Sequence, residues 1–286
     1  MAYRTTRLRV ATAVAAALIA GAAPATLAQA QAPPAPGTAA RASAAQGPAG
    51  AVRAPSPSAD PFQGLTAGQI GDKAVTATRS ATSLRMAGRV TTGGQPLDVD
   101  FSVDDKNQCT GLIKLQGGAA ELRRTGGLTY MKGDEKFWRA SMASQGMPEP
   151  QIEATIELLK GRWLKIAPGQ AGSGDLGGVC DLKALLADLG RNKAELAGLV
   201  RGPDAEVQGT PVATLVRRKP GGETTTVSVS QRGKPYILKM VKTGGSGPGS
   251  VVLSDYDKPV KVVVPPEDET VDLTKLDQGG PAEQPV

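Results

Sequence analysis

Histidine is absent from all 286 residues. Its absence removes the Ser-His-Asp arrangement, the Cys-His pair of cysteine proteases, His-ligated zinc and most general-base designs. Cysteine occurs twice, as Cys109 and Cys180, and aromatic residues make up only 3% of the chain. That is sparse for sugar or single-stranded nucleic-acid recognition, which rely on stacking platforms. Trp138 and Trp163 accordingly read as core or rim packing. No later segment approaches the roughly 20 apolar residues a membrane-spanning helix needs.

The charged residues that are present carry no catalytic pattern. Asp98, Asp100, Asp104 and Asp105 follow one strand and its turn, where alternation puts Asp98 and Asp100 on a wet face. Asp181 is placed to cap a helix. Gly169 to Gly174 lacks the Lys-Ser/Thr of a phosphate-binding loop, and Gly244 to Gly249 fails the same test. Arg123-Arg124 and Arg217-Arg218-Lys219 read as solvated strand ends, not as a nucleic-acid patch. No catalytic residue, metal or cofactor is expected.

The start of the chain has the grammar of export. Arg4, Arg7 and Arg9 precede an apolar run from Val10 to Gly21, and Ala28-Gln29-Ala30 offers the small-x-small pattern of signal peptidase. Residues 1–30 are therefore expected to be a cleavable signal peptide, cut after Ala30, with Ala32 as a second register. The leader carries three arginines and no acid, so the net charge of +6 falls to +3 after cleavage. Residues 31–64 are rich in Ala, Pro, Gly, Gln and Ser and read as a disordered linker. The tail at 275–286 is similar, which leaves one domain at 65–274. Two cysteines in an exported chain suggest one disulfide, Cys109 to Cys180, with two buried thiols as the alternative. No cysteine stands near the cleavage site to carry a lipid anchor.

The domain opens on a helix. Thr66 and Gln69 have capping-box spacing, and Leu65 with Ile70 has that of a hydrophobic staple. The period then changes to two. Leu84, Met86, Gly88 and Val90 alternate with polar positions, and Leu97, Val99, Phe101 and Val103 do the same after Gly93-Gly94. Cys109 to Leu115, Ala120 to Leu122 and Leu128 to Lys132 continue a meander with glycine pairs as turns. Pro150 opens a helix through Ile152, Ile156 and Leu159 that Gly161 ends. After Trp163 to Ile166, Asp181 caps a second helix, and a third is expected over Lys193 to Leu199. Strands return at Val212–Arg218, Thr224–Gln231, Tyr236–Lys242 and Gly249–Ser254, with a last run at Val260–Val264 stopped by Pro265-Pro266. This order predicts an α+β domain with one curved antiparallel sheet and helices packed on one face.

Taken together these features resemble the actinobacterial LppX/LprA/LprF/LprG lipoprotein family, whose fold is similar to the LolA and LolB carriers. The resemblance rests on the opening helix with Ala74, the Leu84 to Val90 strand, and Gly127 to Lys132 followed by Phe137-Trp138. It continues through Leu159-x-Gly161-x-Trp163-x-Lys165 and Ser254-Asp255-Tyr256-Asp257-Lys258-Pro259-Val260. It implies a half-barrel with helices on its concave face and an apolar cavity between them that takes up acylated lipids or glycolipids. By strand parity the cavity candidates are Met86, Val99, Phe101, Ile113, Leu115, Leu122, Leu128 and Tyr130. The helices add Ile152, Ile156 and Leu159, and later strands add Leu215, Val227, Val229, Ile237 and Val241. Arg123 and Lys132 are candidates for a polar rim.

The leading expectation is an exported, non-enzymatic, monomeric lipid carrier or chaperone of the cell envelope, soluble because the family's lipidated cysteine is missing. A regulatory or sensor module of the same fold, contacting an envelope membrane protein, is the alternative. A hydrolase restricted to Ser-Lys or acid-only chemistry and a solid-cored structural protein are weaker readings.

Overall fold

The computed structural model describes residues 60–92, 94–168, 180–187, 189, 196, 198–245 and 247–272. The expected leader and tail, and the expected helix over 193–199, fall wholly or largely outside these. In chain order the elements are α1 (Ala67–Arg79), β1 (Ser83–Thr92), β2 (Gln95–Asp104), β3 (Cys109–Leu115), β4 (Gly118–Thr125) and β5 (Leu128–Gly133). Then come α2 (Glu135–Ser144), α3 (Glu149–Leu159), β6 (Trp163–Ile166) and α4 (Leu182–Ala187). The chain ends with β7 (Val200–Arg201), β8 (Ala205–Val207), β9 (Thr210–Arg218), β10 (Thr224–Ser230), β11 (Ile237–Thr243), β12 (Gly249–Ser254) and β13 (Thr270–Asp272).

All the strands join one open, curved sheet in the order β13-β6-β5-β4-β3-β2-β1-β12-β11-β10-β9-β7, with β8 also pairing with β9. Every pairing is antiparallel except β13 with β6. The two meanders meet at the centre, where β1 pairs with β12. The sheet runs without a break because both hairpin series present the same apolar parity to the helices.

Local signals position the helices. The Thr66 side chain accepts from the Gln69 N–H at 3.2 Å while Gln69 Oε1 accepts from the Thr66 N–H at 2.8 Å, completing the capping box. Asp134 caps α2 by accepting from the Phe137 N–H, and Asp181 caps α4 by accepting from the Ala184 N–H. Helix α2 was not anticipated. It packs on β4 and β5 because glycine replaces side chains beneath it. A Cβ at Gly118 would lie 2.1 Å from the Phe137 nitrogen, and one at Gly133 would lie 2.7 Å from the Phe137 ring.

The helices lie on the concave face. Ile70, Ala74, Phe137, Ile152, Ile156, Leu159 and Leu182 share one core cluster with Phe101, Val103, Leu122, Leu215 and Val229. The opposite face is wet. There Arg89 pairs with Asp98, directly opposite it, at 2.5 Å, and Arg85 pairs diagonally with Asp100 at 2.6 Å. Cys109 and Cys180 form the disulfide, their Cα atoms 5.3 Å apart and 71 residues apart in sequence. It ties the start of α4 to β3, and closing a loop of that length stabilises the fold by about 4 kcal/mol on the chain-entropy model.

Two ends of the domain depart from expectation. Asp60 and Phe62 already belong to the folded body: Asp60 pairs with Arg201 at 2.8 Å, and Phe62 is buried in the core. Residues 260–264 do not form a strand. They run extended and unpaired across the outer face, where the Val263 carbonyl accepts from Arg123 Nη1 at 3.0 Å. The strand that closes the sheet is β13, beyond Pro265-Pro266, and it pairs in parallel with β6.

The crossing segment is anchored by a polar clasp. Asp257 adopts a left-handed conformation, φ 59°, and accepts from the Thr82 N–H at 2.9 Å, Lys234 Nζ at 3.0 Å and the Tyr236 hydroxyl at 2.5 Å. Tyr236 stacks on Tyr256 with ring centroids 4.0 Å apart, and the Tyr256 hydroxyl donates to the Ile237 carbonyl. The Tyr236 hydroxyl, the Thr82 N–H and the Lys234 ammonium together hold the Asp257 carboxyl far below its ordinary value of 3.8. Its stabilising contribution is thus complete above that value and is lost as pH falls toward its folded pKa. Asp257→Asn should lower stability by about 1 kcal/mol at pH 7, a modest figure for a site one-third exposed. The variant should also lose less stability than the native chain between pH 5 and pH 2 in urea titrations. Parallel pH profiles would contradict this role.

Candidate functional site

The concave face is built in tiers, because residues opposite each other in an antiparallel ladder point the same way. The first tier is Leu84, Val103 and Cys109; the second is Leu253, Met86, Phe101, Gly111, Leu122 and Met131. The third is Val251, Gly88, Val99, Ile113, Ala120 and Gly133, and the fourth contains Val90, Leu97 and Leu115. The first tier is fully buried and the fourth half-buried, while between them Met86 and Gly111 are half-buried and Ala120 and Gly133 are buried. Val103 is 0% exposed, Phe101 1%, and Val99 and Ile113 8% each, whereas Val90, Leu97 and Leu115 are only half-buried. The apolar floor therefore emerges from under the helices toward the β1–β2 and β3–β4 turns.

The second meander continues the floor. Met240 lies opposite both Val251 and Val227, and Val227 opposite Leu215. The fourth tier turns polar here, with Lys242 opposite Thr225 and Thr225 opposite Arg217. Lys242 Nζ lies 3.0 Å and Lys219 Nζ 2.7 Å from the Glu223 carboxylate. Burial alone would raise the pKa of Glu223, but the two ammonium groups outweigh it and the carboxyl is held below its ordinary value. The open end of the face thus has an aliphatic floor and, along one side, a rim with more basic than acidic groups.

Most candidates from the sequence lie where parity placed them. Met86, Val99, Phe101, Ile113, Leu115, Leu122, Leu215, Val227, Val229 and Ile237 line the concave side of the sheet, and Ile152, Ile156 and Leu159 face it from α3. Three do not. Leu128 and Tyr130 lie on the outer face, because the two-residue turn at Gly126-Gly127 pairs Leu128 with Thr125 and hands the inner positions to Thr129, Met131 and Gly133. Both turn glycines have positive φ, 57° and 79°, the geometry such a tight turn demands. Val241 also faces outward. A bulge opposite Ser228/Val229 inserts Leu238 and reverses the parity after Ile237, so Met240 and Lys242 point inward.

The rim candidates Arg123 and Lys132 also belong to the outer face. The Arg123 guanidinium lies 4.4 Å above the Trp163 ring and the Lys132 ammonium 5.8 Å from it, and Tyr130 is buried on the same face. The inner positions missed from sequence are Val90, Leu97, Met240 and Val251. Val90 and Leu97 had the right alternation, whereas Met240 was hidden by the bulge.

The outer face carries a shallow depression of about 340 Å³ lined by Asp100, Ser102, Thr110, Gly111, Leu112 and Glu121. It is separate from the concave floor. Among the described residues no three His, Cys, Asp or Glu side chains come together as metal ligands would. Nor is any helix among them long and apolar enough to cross a membrane.

A broad curved sheet cradling helices, with an apolar face left partly open at one end, defines a half-barrel of the α+β class. Among solved structures it is similar to LprF from Mycobacterium bovis, at 16% identity and a TM-score of 0.48 over 70% of this chain and 96% of that one. It is also similar to the Mycobacterium tuberculosis lipoprotein LppX, at 18% identity and 0.39 over 68% of this chain and 97% of that one. MucB in the Pseudomonas aeruginosa MucA/MucB complex matches at 14% identity and 0.31, over 71% of this chain and 59% of that one. No protein-family model and no curated protein matches the chain. All three likenesses are distant, and the functional reading rests on this chain's own residues.

This difference in exposure between positions has a direct energetic consequence. Leu122→Ala, at a fully buried position, should cost about 2–5 kcal/mol, whereas Leu97→Ala at the open end should cost under about 1 kcal/mol. Urea unfolding of the two variants measures both. Equal losses would mean that the fourth tier is as tightly packed as the second.

Proposed function

We propose that the chain is an exported, non-enzymatic carrier of acylated lipids, which rest their chains on the concave floor. One observation carries the reading: Val90, Leu97 and Leu115 of the fourth tier, with Gly88 and Val251 of the third, form an apolar patch at the open end that stays only half-buried. A soluble protein does not expose joined apolar surface of this kind without a use for it. Each acyl methylene moved from water onto it contributes about 0.8 kcal/mol, so a partly buried chain binds well without any charged contact. Lys242 and Lys219, which share the single Glu223 carboxylate beside the same opening, leave net positive charge there for an anionic headgroup.

Export is supported by the Arg4, Arg7 and Arg9 leader with its Ala28-Gln29-Ala30 site, and by the disulfide between Cys109 and Cys180. The domain lacks histidine, in keeping with a role in binding rather than in general-base catalysis.

The two tryptophans provide a clean test because they lie on opposite faces of the sheet. Trp138 packs in the concave core, and Trp163 lies on the outer face beneath Arg123. With Trp163→Phe leaving only Trp138, lipids with brominated acyl chains should quench its fluorescence. With Trp138→Phe leaving only Trp163, the same lipids should quench little. Equal quenching of both, or none, would count against a concave acyl site.

A further inference from the structure

The indole N–H of Trp138 is buried and has no hydrogen-bond partner among the described residues. Trp138 is only 7% exposed, and it is held firmly: its ring meets Phe137 edge to face, with centroids 5.5 Å apart. Its polar edge lies directly over Gly133, where a Cβ would sit 2.9 Å from both Nε1 and Cε2. Glycine at that position is what admits the indole edge to the sheet. A buried donor left unmade is costly, and native proteins keep few of them.

The location of this donor narrows what can satisfy it. Indole Nε1–H donates only, so its partner must be an acceptor. A carboxylate or phosphate would be buried beside the ring without a countercharge. A neutral carbonyl attached to an apolar chain meets both demands. Gly133 is also one end of the third tier, which runs through Ala120, Ile113, Val99 and Gly88 to half-buried Val251. Three of its six residues are Gly or Ala, and the tier is five strand spacings long, about 24 Å.

We infer that Trp138 is the specificity-determining donor of the concave face, and that it takes the ester carbonyl of an ester-linked acyl lipid. The chain of that ester then lies along the third tier toward Val251. This inference rests on the lipid-carrier reading and adds a selectivity that apolar burial alone does not give: ester lipids are preferred over ether lipids of equal chain length. Loss of one neutral hydrogen bond with the donor left buried sets the scale of the preference at about threefold to tenfold.

Dioctanoyl phosphatidylglycerol and its dioctyl ether analogue, titrated by calorimetry, provide the probe pair. The native protein and the Trp163→Phe control should prefer the ester by about threefold to tenfold. Trp138→Phe should bring the ratio to about one by weakening the ester alone. In the Trp163→Phe protein the ¹⁵N indole resonance of Trp138 should move with the ester lipid and not with the ether, a readout that does not require the Trp138 variant to fold. An unchanged ratio, or equal loss for both lipids, would overturn the role of Trp138 while leaving the carrier reading intact. No binding of either lipid to the native protein would overturn both.

Discussion

A sheet this broad has an apolar face that must be covered, and the rest of the architecture follows from how that is done. The described helices are short: α1 has 13 residues, α2 10, α3 11 and α4 6. Helices α2 and α3 cover β3 to β5, where Gly118 and Gly133 let α2 approach the backbone. Helix α1 covers β10 and β11, where the Thr78 hydroxyl accepts from the Ile237 N–H at 3.0 Å. The disulfide holds α4 to β3 between these two packages. Among the described residues the first tier is fully buried and the fourth only half-buried, and that half-buried end is the proposed site.

The outer face meets the opposite requirement. Arg85–Asp100 and Arg89–Asp98 keep its centre wet, and such exposed pairs contribute little individually. Their value is in register, since a one-residue slip would turn both arginines into the core. Toward β6 the same face becomes partly dry, with Tyr130 and Trp163 buried there and Arg123 bonded to the crossing segment. That segment links β12 to β13 over the back of the sheet, held at its start by the Asp257 clasp.

Local chemistry was the legible part of the fold. The Thr66–Gln69 box, the Asp181 cap, the Pro150 start and the Gly161 stop each act within a few residues, and all are present. The alternation in β1 to β3 likewise needs only the period of a strand. What sequence could not show depends on pairing across a distance. The Leu238 bulge exists only relative to β10, and it turned Val241 outward. The pairing of Leu128 with Thr125 depends on a turn geometry that glycine permits but does not dictate. Strand β13 has three residues and finds a parallel partner more than a hundred positions away, which leaves no periodic signal. The unpaired donor of Trp138 was equally invisible, since the sequence read this residue only as packing.

The central claim is that the concave floor holds acyl chains when the protein is at work. Native mass spectrometry of the mature protein, purified without detergent from the exporting cell, tests it most directly. The account predicts a mass addition matching an acylated lipid, released intact on activation and recovered by solvent extraction. Repeated preparations at the bare polypeptide mass, with no extractable lipid and no uptake of added lipid, would contradict it.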